Sequence, residues 1–339
     1  MAPLTNPESL SAAWRALSEI EEGTGWITIP MFQAGPVKLL AARHFPGNQE
    51  AILARFSSET ISEGRILPNG RGFVVSKVEA DLEKAGGSLI SLVRQKEGSL
   101  DMFSAMAEDI FSFLSSCKAS SERQVLSAFL ARVEAWQYFM GDDEARALGR
   151  EAEVGLVGEL FLLRDLLNAG LPPMSAIEAW RGPLGELHDF VIGRGAIEVK
   201  STMAPAGVPA KIGSLEQLDD SLIEPLFLVC VRVPLDDHGA TLPEVIGEIG
   251  SLFNDDSIAQ SCYGSRLLRA GYSNLMSSNY TRRFMDAGRH AFPVRGAFPR
   301  LTHYSVPAGV QSAQYEIELD GLGLEQVTIP DILFKLGVF

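Results

Sequence analysis

One segment of the chain, His188-Asp189-Phe-Val-Ile-Gly193-Arg194-Gly195-Ala-Ile-Glu198-Val-Lys200, has the pattern of a β-hairpin. Because side chains alternate along a strand, Glu198 and Lys200 share one face and lie roughly 7 Å apart. Glycine at the first central position favours a two-residue turn at Gly193-Arg194. With that turn, Asp189 lies directly opposite Glu198, with the two Cβ atoms about 5 Å apart.

Two carboxylates that face each other across a hairpin repel, so their retention is consistent with a divalent cation between them. Two carboxylate oxygens, a backbone carbonyl and several waters make a suitable magnesium shell. Two alternatives stay open. A three-residue loop from Gly193 to Gly195 would turn the carboxylates out of opposition. On a solvated hairpin face, Lys200 would simply neutralise Glu198.

A helix with small residues on one face is predicted just before the hairpin. The helical pattern starts near Asp142-Asp143, whose carboxylates suit a helix N-terminus, and ends at about Asn168. Gly155 and Gly158 form a smooth ridge that another backbone can approach closely. Glu159 follows them inside an apolar run, so its carboxylate lies either at the edge of the buried face or in a functional site.

The remaining periodicity predicts the organisation of the chain. Short alternating segments over 25–95 indicate a mostly antiparallel β unit, opened by a helix near residues 8–21. Two apolar stripes at helical spacing follow and indicate helices that pack in a core. We expect four parts: 1–98, a β-rich unit; 99–141, a helical connection; 142–235, an α/β core; and 236–339, an Arg-rich extension.

After the hairpin, the order of elements is that of an α/β domain. Pro209–Gly213 is predicted to be extended, and Leu226–Val233 is apolar throughout, like a central strand covered on both faces. Between them, Ser214 to Leu222 has the pattern of a helix. Ser214-Leu-Glu-Gln217 fits a capping box, with Ser214 as N-cap and Gln217 at the third helical position.

The predicted elements are a helix with an inward Glu, then Asp189 and Glu198-Val-Lys200 on adjacent strands, and then a strand, a helix and an apolar strand. This order of elements resembles that of the PD-(D/E)XK nuclease superfamily. The resemblance extends to uncharacterised bacterial members associated with restriction and phage-defence gene sets. It covers residues 145–235 firmly and the rest loosely. His188 stands where the motif has proline, which is not a ligand. The resemblance implies an α/β (α+β overall), restriction-endonuclease-like core with a mixed sheet flanked by helices.

The resemblance also implies roles for individual residues. Asp189 and Glu198, helped by the carbonyl of Val199, would ligate Mg²⁺, or Mn²⁺ in its place. Lys200 would orient or deprotonate the attacking water, and Glu159 would complete the acidic cluster. In a restriction-like branch of the superfamily, a Gln at the place of Gln217 faces the active site, which is the alternative to its capping role. A metal lowers the pKa of bound water and screens new negative charge.

Charge is distributed unevenly along a chain of 339 residues and net charge −14. Residues 151–256 hold 18 acids and 6 bases, whereas 257–312 hold one acid and seven arginines. Arginine suits bidentate phosphate contacts, and interleaved aromatic residues could stack on bases. We expect DNA contacts from this segment; in the alternative, it pairs with acidic residues of the same chain or of a partner subunit. The candidate DNA-binding residues are Arg266, Arg269, Arg282, Arg283 and Arg289.

The sequence therefore predicts a magnesium-dependent DNA endonuclease, a hydrolase of a bacterial restriction-like or antiviral defence system with partner proteins. The alternatives are a catalytically silent scaffold or DNA-binding module of the same fold, and an unrelated α/β protein. A homodimer could cut both strands. Three widely spaced cysteines, no signal-peptide pattern and no apolar stretch of about 20 residues predict a cytoplasmic protein without a membrane span.

Overall fold

The computed structural model describes residues 8–338 except 21–23, 35–36, 60, 63, 79–86, 118–120 and 142–146. The chain forms two compact units. The first comprises Met1–Ala145 and Asp255–Arg269, and the second comprises Arg146–Asn254 and Ala270–Phe339. These limits differ from the four expected parts, because the helical connection belongs with the β-rich unit and most of the extension belongs with the α/β core. None of the described helices is long and apolar enough to cross a membrane.

The helices and strands follow one another as follows. They are α1 (Glu8–Ser18), β1 (Gly25–Ala34), β2 (Val37–Phe45), β3 (Gln49–Phe56), β4 (Phe73–Lys77), β5 (Ser88–Arg94), α2 (Leu100–Ser116), α3 (Glu122–Gly141), α4 (Arg150–Asn168), α5 (Pro173–Ala179), β6 (Phe190–Ile192), β7 (Gly195–Thr202), β8 (Pro209–Ile212), β9 (Leu226–Arg232), β10 (Leu235–Thr241), α6 (Leu242–Ser251), α7 (Ser257–Arg269), β11 (Arg283–Phe284), β12 (Arg289–Pro293), β13 (Tyr315–Glu318) and α8 (Ile329–Leu336).

The first unit combines an antiparallel sheet of order β1-β2-β3-β5-β4 with helices α1, α2, α3 and α7. Its core joins the apolar faces of the strands to the two predicted helical stripes. Phe103 and Ile110 of α2 and Phe129 and Val133 of α3 are fully buried in this core. The predictions of a β unit and of two core-packed helices are thus confirmed.

The second unit contains a mixed sheet of order β12-β9-β7-β6. Strands β7 and β9 are parallel, and the other two pairings are antiparallel. Strand β9 is buried at every position except its last residue, which confirms a central strand covered on both faces. Strand β8 pairs separately with β13, and the unit also contains α4, α5, α6 and α8.

The hairpin of β6 and β7 has the register that the two-residue turn requires. Ile192 pairs with Gly195 and Phe190 with Ile197. Gly193 has φ +56°, a conformation that glycine adopts at little cost. The three-residue loop is therefore wrong, and Asp189 precedes β6 at the position facing Glu198.

Helix α4 packs on the sheet through one of its two glycines. A Cβ atom at Gly158 would overlap the hydroxyl of Ser201 on β7, so the absence of a side chain permits close approach. The helix begins at Arg150, with Gly149 as N-cap. The predicted start at Asp142-Asp143 is wrong, and both of those residues lie outside the described part of the chain.

The predicted helix from Ser214 to Leu222 does not form, and this segment consists of bends and turns. One cause is local competition for the backbone. The Asp219 carboxylate accepts hydrogen bonds from the backbone N–H of Ser221, at 3.0 Å, and from its hydroxyl, at 2.7 Å. Such side-chain bonds favour a turn over a helix.

Candidate active site

A cleft of about 630 Å³ opens in the second unit beside the hairpin. It is lined by residues of α4, β7, β8 and β13, by Asp189, and by the turn segment after β8. The residues that carry charge or a candidate role are Arg150, Glu151, Glu159, Asp189, Glu198, Val199, Lys200, Lys211, Gln217 and Glu316. Five of the sequence-predicted residues, together with Val199, therefore meet in one place.

Asp189 is anchored by both its side chain and its backbone. Its Oδ2 accepts a hydrogen bond from the backbone N–H of Val199 at 2.7 Å. Its carbonyl accepts from the N–H groups of Arg181 and Gly182 at 2.7 and 3.0 Å. A Cβ atom at Gly182 would lie 2.7 Å from Glu159 Oε2 and 3.0 Å from Asp189 Oδ1, so glycine leaves room for two carboxylates.

Glu198 is buried, with 1% of its surface exposed. Its Oε1 accepts a hydrogen bond from Lys200 Nζ at 2.6 Å. Its Oε2 is buried and has no hydrogen-bond partner among the described residues. Burial, and then the charge of Asp189, raise the pKa of Glu198 to about 8, although Lys200 opposes the shift. A buried carboxylate oxygen without a partner is costly unless a cation or a proton compensates it.

Glu159 brings a third carboxylate from α4. Its Oε2 accepts a hydrogen bond from Trp180 Nε1 at 2.6 Å. Burial, and then the charge of Asp189, raise the pKa of Glu159 well above its ordinary value. Burial likewise raises the pKa of Asp189, which the Val199 N–H and Lys200 oppose. The three carboxylates thus interact electrostatically and hold protons more tightly than exposed ones do.

The donor set fits a hard divalent cation, because it consists of carboxylates and one of their buried oxygens accepts no hydrogen bond from any described residue. Within the described residues, however, no three His, Cys, Asp or Glu side chains are placed closely enough to form a complete metal cluster. A cation held here would therefore combine a few of these oxygens with backbone carbonyls or water.

Lys200 and Gln217 meet at the wall of the cleft. Lys200 Nζ donates to Gln217 Oε1 at 3.1 Å, and the same oxygen accepts from the Gly213 N–H at 2.8 Å. Since no helix follows Ser214, the capping-box interpretation is wrong, and Gln217 faces the cleft instead. His188 is buried behind this segment, where burial lowers its pKa and the backbone of Gln217 opposes the shift.

Sequence reasoning missed Trp180 and Gly182, although both carry a recognisable signal. A buried tryptophan needs a partner for its N–H, and here the partner is Glu159. Gly182 follows closely in the chain and supplies the space beside the carboxylates. The tripeptide Trp180-Arg181-Gly182, which precedes the hairpin, could have been proposed as support for the acidic residues.

The arginine-rich segment is not arranged as expected. Five of its arginines form ion pairs with carboxylates of the second unit. These pairs are Arg282 with Glu153 (2.5 Å), Arg283 with Glu244 (3.2 Å), Arg289 with Asp165 (2.7 Å), Arg295 with Glu325 (3.0 Å) and Arg300 with Asp220 (2.7 Å). This arrangement matches the alternative of pairing within the chain, since opposite charges that folding brings close in space neutralise one another.

Arg266 and Arg269 belong to the first unit, on α7. The guanidinium of Arg269 lies 5.5 Å from the centre of the Tyr138 ring. The seven arginines of the segment are therefore divided between the two compact units, two in the first and five in the second. DNA binding by the five candidate arginines stays a prediction.

The second unit combines a helix with an inward Glu, a hairpin that presents Asp189 and Glu198-Val-Lys200, and a mixed sheet. Together these features define a nuclease-like fold. The chain belongs to the family described as "Putative PD-(D/E)XK family member" (DUF4420), whose model matches residues 10–320. The match extends well beyond residues 145–235, which contain the motif residues. No curated protein and no solved structure is significantly similar to the chain.

Proposed function

We propose that this protein is a metal-dependent nuclease that hydrolyses phosphodiester bonds in DNA. One observation carries the proposal: Glu198, buried beside Asp189 and Lys200 in an open cleft, has a carboxylate oxygen that finds no partner in the part of the chain that the structure describes. Perturbed carboxylates in a cleft with a specific charged neighbour are candidates for function. Their order in the chain resembles the PD-(D/E)XK motif, and the chain belongs to a family described as a putative member of that superfamily.

Asp189, Glu198 and the carbonyl of Val199 would hold Mg²⁺, or Mn²⁺ in its place. The cation would supply a lower pKa for bound water and compensation for the charge that develops on phosphate. Lys200 adds a fixed positive charge at the same place, which favours the transition state over the substrate. Gln217 accepts a hydrogen bond from Lys200 and so orients its ammonium group.

Glu159 has two roles open to it. Its carboxylate completes the acidic cluster from α4, either as a direct ligand or through water. Because Trp180 already donates to its Oε2, the other oxygen is the one left for that purpose. A role in water-mediated binding agrees with the absence, among the described side chains, of a preformed cluster of three ligands.

The biological setting rests on the resemblance. Proteins with this motif order accompany restriction and phage-defence genes, so we propose cytoplasmic action on foreign DNA together with partner proteins that select the target. A homodimer would permit cleavage of both strands. The second candidate is a silent scaffold or DNA-binding module of the same fold, and it is favoured by the incomplete ligand cluster.

Cleavage assays on the full chain separate these candidates. Duplex and single-stranded DNA are incubated with Mg²⁺, with Mn²⁺ or with EDTA. We expect metal-dependent cutting that Asp189→Ala and Lys200→Ala each reduce by at least about 100-fold, because each removes a group at the reacting phosphate.

The matched controls are Glu325→Gln and Lys335→Ala, which alter exposed or half-exposed side chains of the second unit outside the cleft. Both should cut like the wild type, and far-UV circular dichroism should show that all four variants are folded. Cutting that survives in both cleft variants would contradict the assigned site. Metal-independent binding without any cutting would favour the scaffold.

A further inference from the structure

Most positive side chains of the second unit are already engaged. Apart from Arg150 and Lys211, each described arginine and lysine there has a carboxylate, carbonyl or side-chain oxygen within hydrogen-bond or ion-pair distance. These engaged residues are Arg164, Arg181, Arg194, Lys200, Arg232, Arg282, Arg283, Arg289, Arg295, Arg300 and Lys335. The two exceptions both line the cleft that holds the carboxylates.

Arg150 is the first residue of α4, and its side chain is exposed. The face of α4 that borders the cleft continues through Glu151, Val154 and Gly155 to Glu159. Glu159 lies nine positions after Arg150 in the helix, a rise of about 13.5 Å. Arg150 is therefore beyond the reach of the reacting phosphate but beside the path that leads to it.

Gly155 leaves the floor of that path bare. A Cβ atom added there would meet nothing within 4 Å, in contrast to Gly158, where it would overlap Ser201. Glycine inside a helix costs about 1 kcal/mol relative to alanine, and at Gly155 no protein neighbour requires it. A glycine with open space above it lets a ligand approach the helix backbone closely.

Lys211 enters the cleft from β8. Ala210 and Ile212 are buried in the core, so alternation along the strand directs Pro209 and Lys211 to the other face, where both line the cleft. Glu316 lies opposite Lys211 in the β8–β13 register, yet no ion pair forms between them in the described structure. Lys211 is thus exposed at the rim, and its ammonium has no ion-pair partner among the residues described.

The cleft needs such groups if it is to accept a polyanion. Five carboxylates line it against three cations, of which Lys200 is engaged by Glu198. A bound divalent cation would offset the central carboxylates but would not hold the phosphates on either side of the reacting one. Exposed cations at the rim supply that attraction.

We propose that Arg150 and Lys211 bind backbone phosphates that flank the scissile phosphate, and that the nucleic acid strand passes over the bare helix surface at Gly155. The inference rests on the proposed function, and it gives the path of the nucleic acid substrate through the cleft. It assigns phosphate contact to two residues outside the arginine-rich segment.

The test measures binding of fluorescein-labelled duplex and single-stranded DNA by anisotropy across a KCl series, in EDTA, using the full chain. Arg150→Ala and Lys211→Ala should each weaken binding about three- to tenfold at moderate salt and reduce the salt slope by about 0.7 to 0.9. In cleavage assays, both should raise KM and leave kcat nearly unchanged. Arg295→Ala, an exposed arginine outside the cleft, should bind like the wild type.

Gly155→Met gives an independent reading. The Cβ atom of the new side chain meets nothing within 4 Å, and the change removes a helix glycine, so the melting temperature should be unchanged or higher. DNA binding should nevertheless fall at least tenfold, because the side chain occupies the strand path. Suppose that the wild-type protein cuts DNA, but that Gly155→Met and the Arg150→Ala, Lys211→Ala double variant both bind DNA as the wild type does. That result would overturn this inference and leave the proposed nuclease function standing.

The remaining outcomes distinguish the inference from the proposed function. Binding that depends on Arg150 and Lys211 without any cleavage would support the phosphate contacts and overturn the catalytic proposal. A wild-type chain that neither binds nor cuts either form of DNA would overturn both.

Discussion

Glu153 and Glu198 are both buried glutamates of the second unit, with 0% and 1% of their surface exposed. Each has one oxygen without a hydrogen-bond partner among the described residues. The other oxygen of Glu153 accepts from Arg282 Nε at 2.6 Å and Nη2 at 2.5 Å, whereas that of Glu198 accepts from Lys200 alone. The two sites differ in how much positive charge compensates each carboxylate.

The neighbours increase this difference. Arg282 is a fixed guanidinium that contacts Glu153 through two nitrogens. At Glu198, the ammonium group of Lys200 is the compensating charge, and Asp189 adds further negative charge. Burial, and then the charge of Asp189, raise the pKa of Glu198 to about 8. A compensated buried carboxylate is a structural element, while an undercompensated one in a cleft marks a place for a cation.

The largest effect on stability is expected from breaking the compensated pair. Arg282→Ala would leave Glu153 buried without its cation, which should lower the free energy of unfolding by about 3 kcal/mol. Urea denaturation followed by tryptophan fluorescence measures the change. Arg295→Ala, whose pair with Glu325 is exposed, should cost less than about 1 kcal/mol.

The same variant tests the earlier DNA assignment of Arg282. The double variant Glu153→Gln, Arg282→Ala should recover part of the lost stability, because it removes the stranded charge. If Arg282→Ala melts like the wild type but reduces the salt dependence of DNA binding, the Arg282–Glu153 ion pair is weak and Arg282 contacts DNA. That result would contradict a structural role for Arg282.

The second effect concerns pH. The pKa of Glu198 is about 8 in the folded chain against an ordinary 4.5, so the folded state retains a proton that the unfolded state has lost. Stability should therefore fall as pH rises from about 4.5 through about 8, because the folded state releases its proton only near the upper end of that range. Glu159, whose pKa is also raised, adds to this decline.

Thermal melts between pH 5 and pH 8.5 in EDTA measure the decline, and Glu198→Gln should reduce it because the amide does not titrate. Mg²⁺ should also reduce it, since the cation binds the ionised form. Glu325→Gln should retain the full slope. Equal slopes in EDTA for Glu198→Gln and the wild type would show that Glu198 is not the group responsible.

The parts of the site that sequence predicted depend on local geometry. A glycine with positive φ at position 193 fixed the turn, the turn fixed the register, and the register placed Asp189 across from Glu198. The close approach of α4 at Gly158 also followed from residue type, because only glycine leaves the space that the Ser201 hydroxyl takes up.

The features that the sequence could not predict depend on which of several possible hydrogen-bond or ion-pair partners a side chain contacts in the folded chain. Ser214 to Leu222 has a helical pattern, but Asp219 captures the backbone of Ser221 and Gln217 bonds to Lys200. Arg282 lies 129 residues from Glu153 in the chain, so no spacing rule connects them. The sequence therefore predicted that the arginine-rich segment contacts DNA, whereas in the folded chain five of its arginines form ion pairs with carboxylates that are close in space.

The smallest expected effect comes from Gln217, which orients Lys200 without replacing its bond to Glu198. Gln217→Ala should lower the rate of DNA cleavage about three- to tenfold, roughly 1 kcal/mol, the value of one hydrogen bond. Gln217→Glu keeps the accepting oxygen and should cut faster than Gln217→Ala. Gln137→Ala, a glutamine of the first unit, is the control and should match the wild type. Equal rates for Gln217→Ala and Gln137→Ala would confine Gln217 to holding the turn at Gly213, where its oxygen also accepts a hydrogen bond.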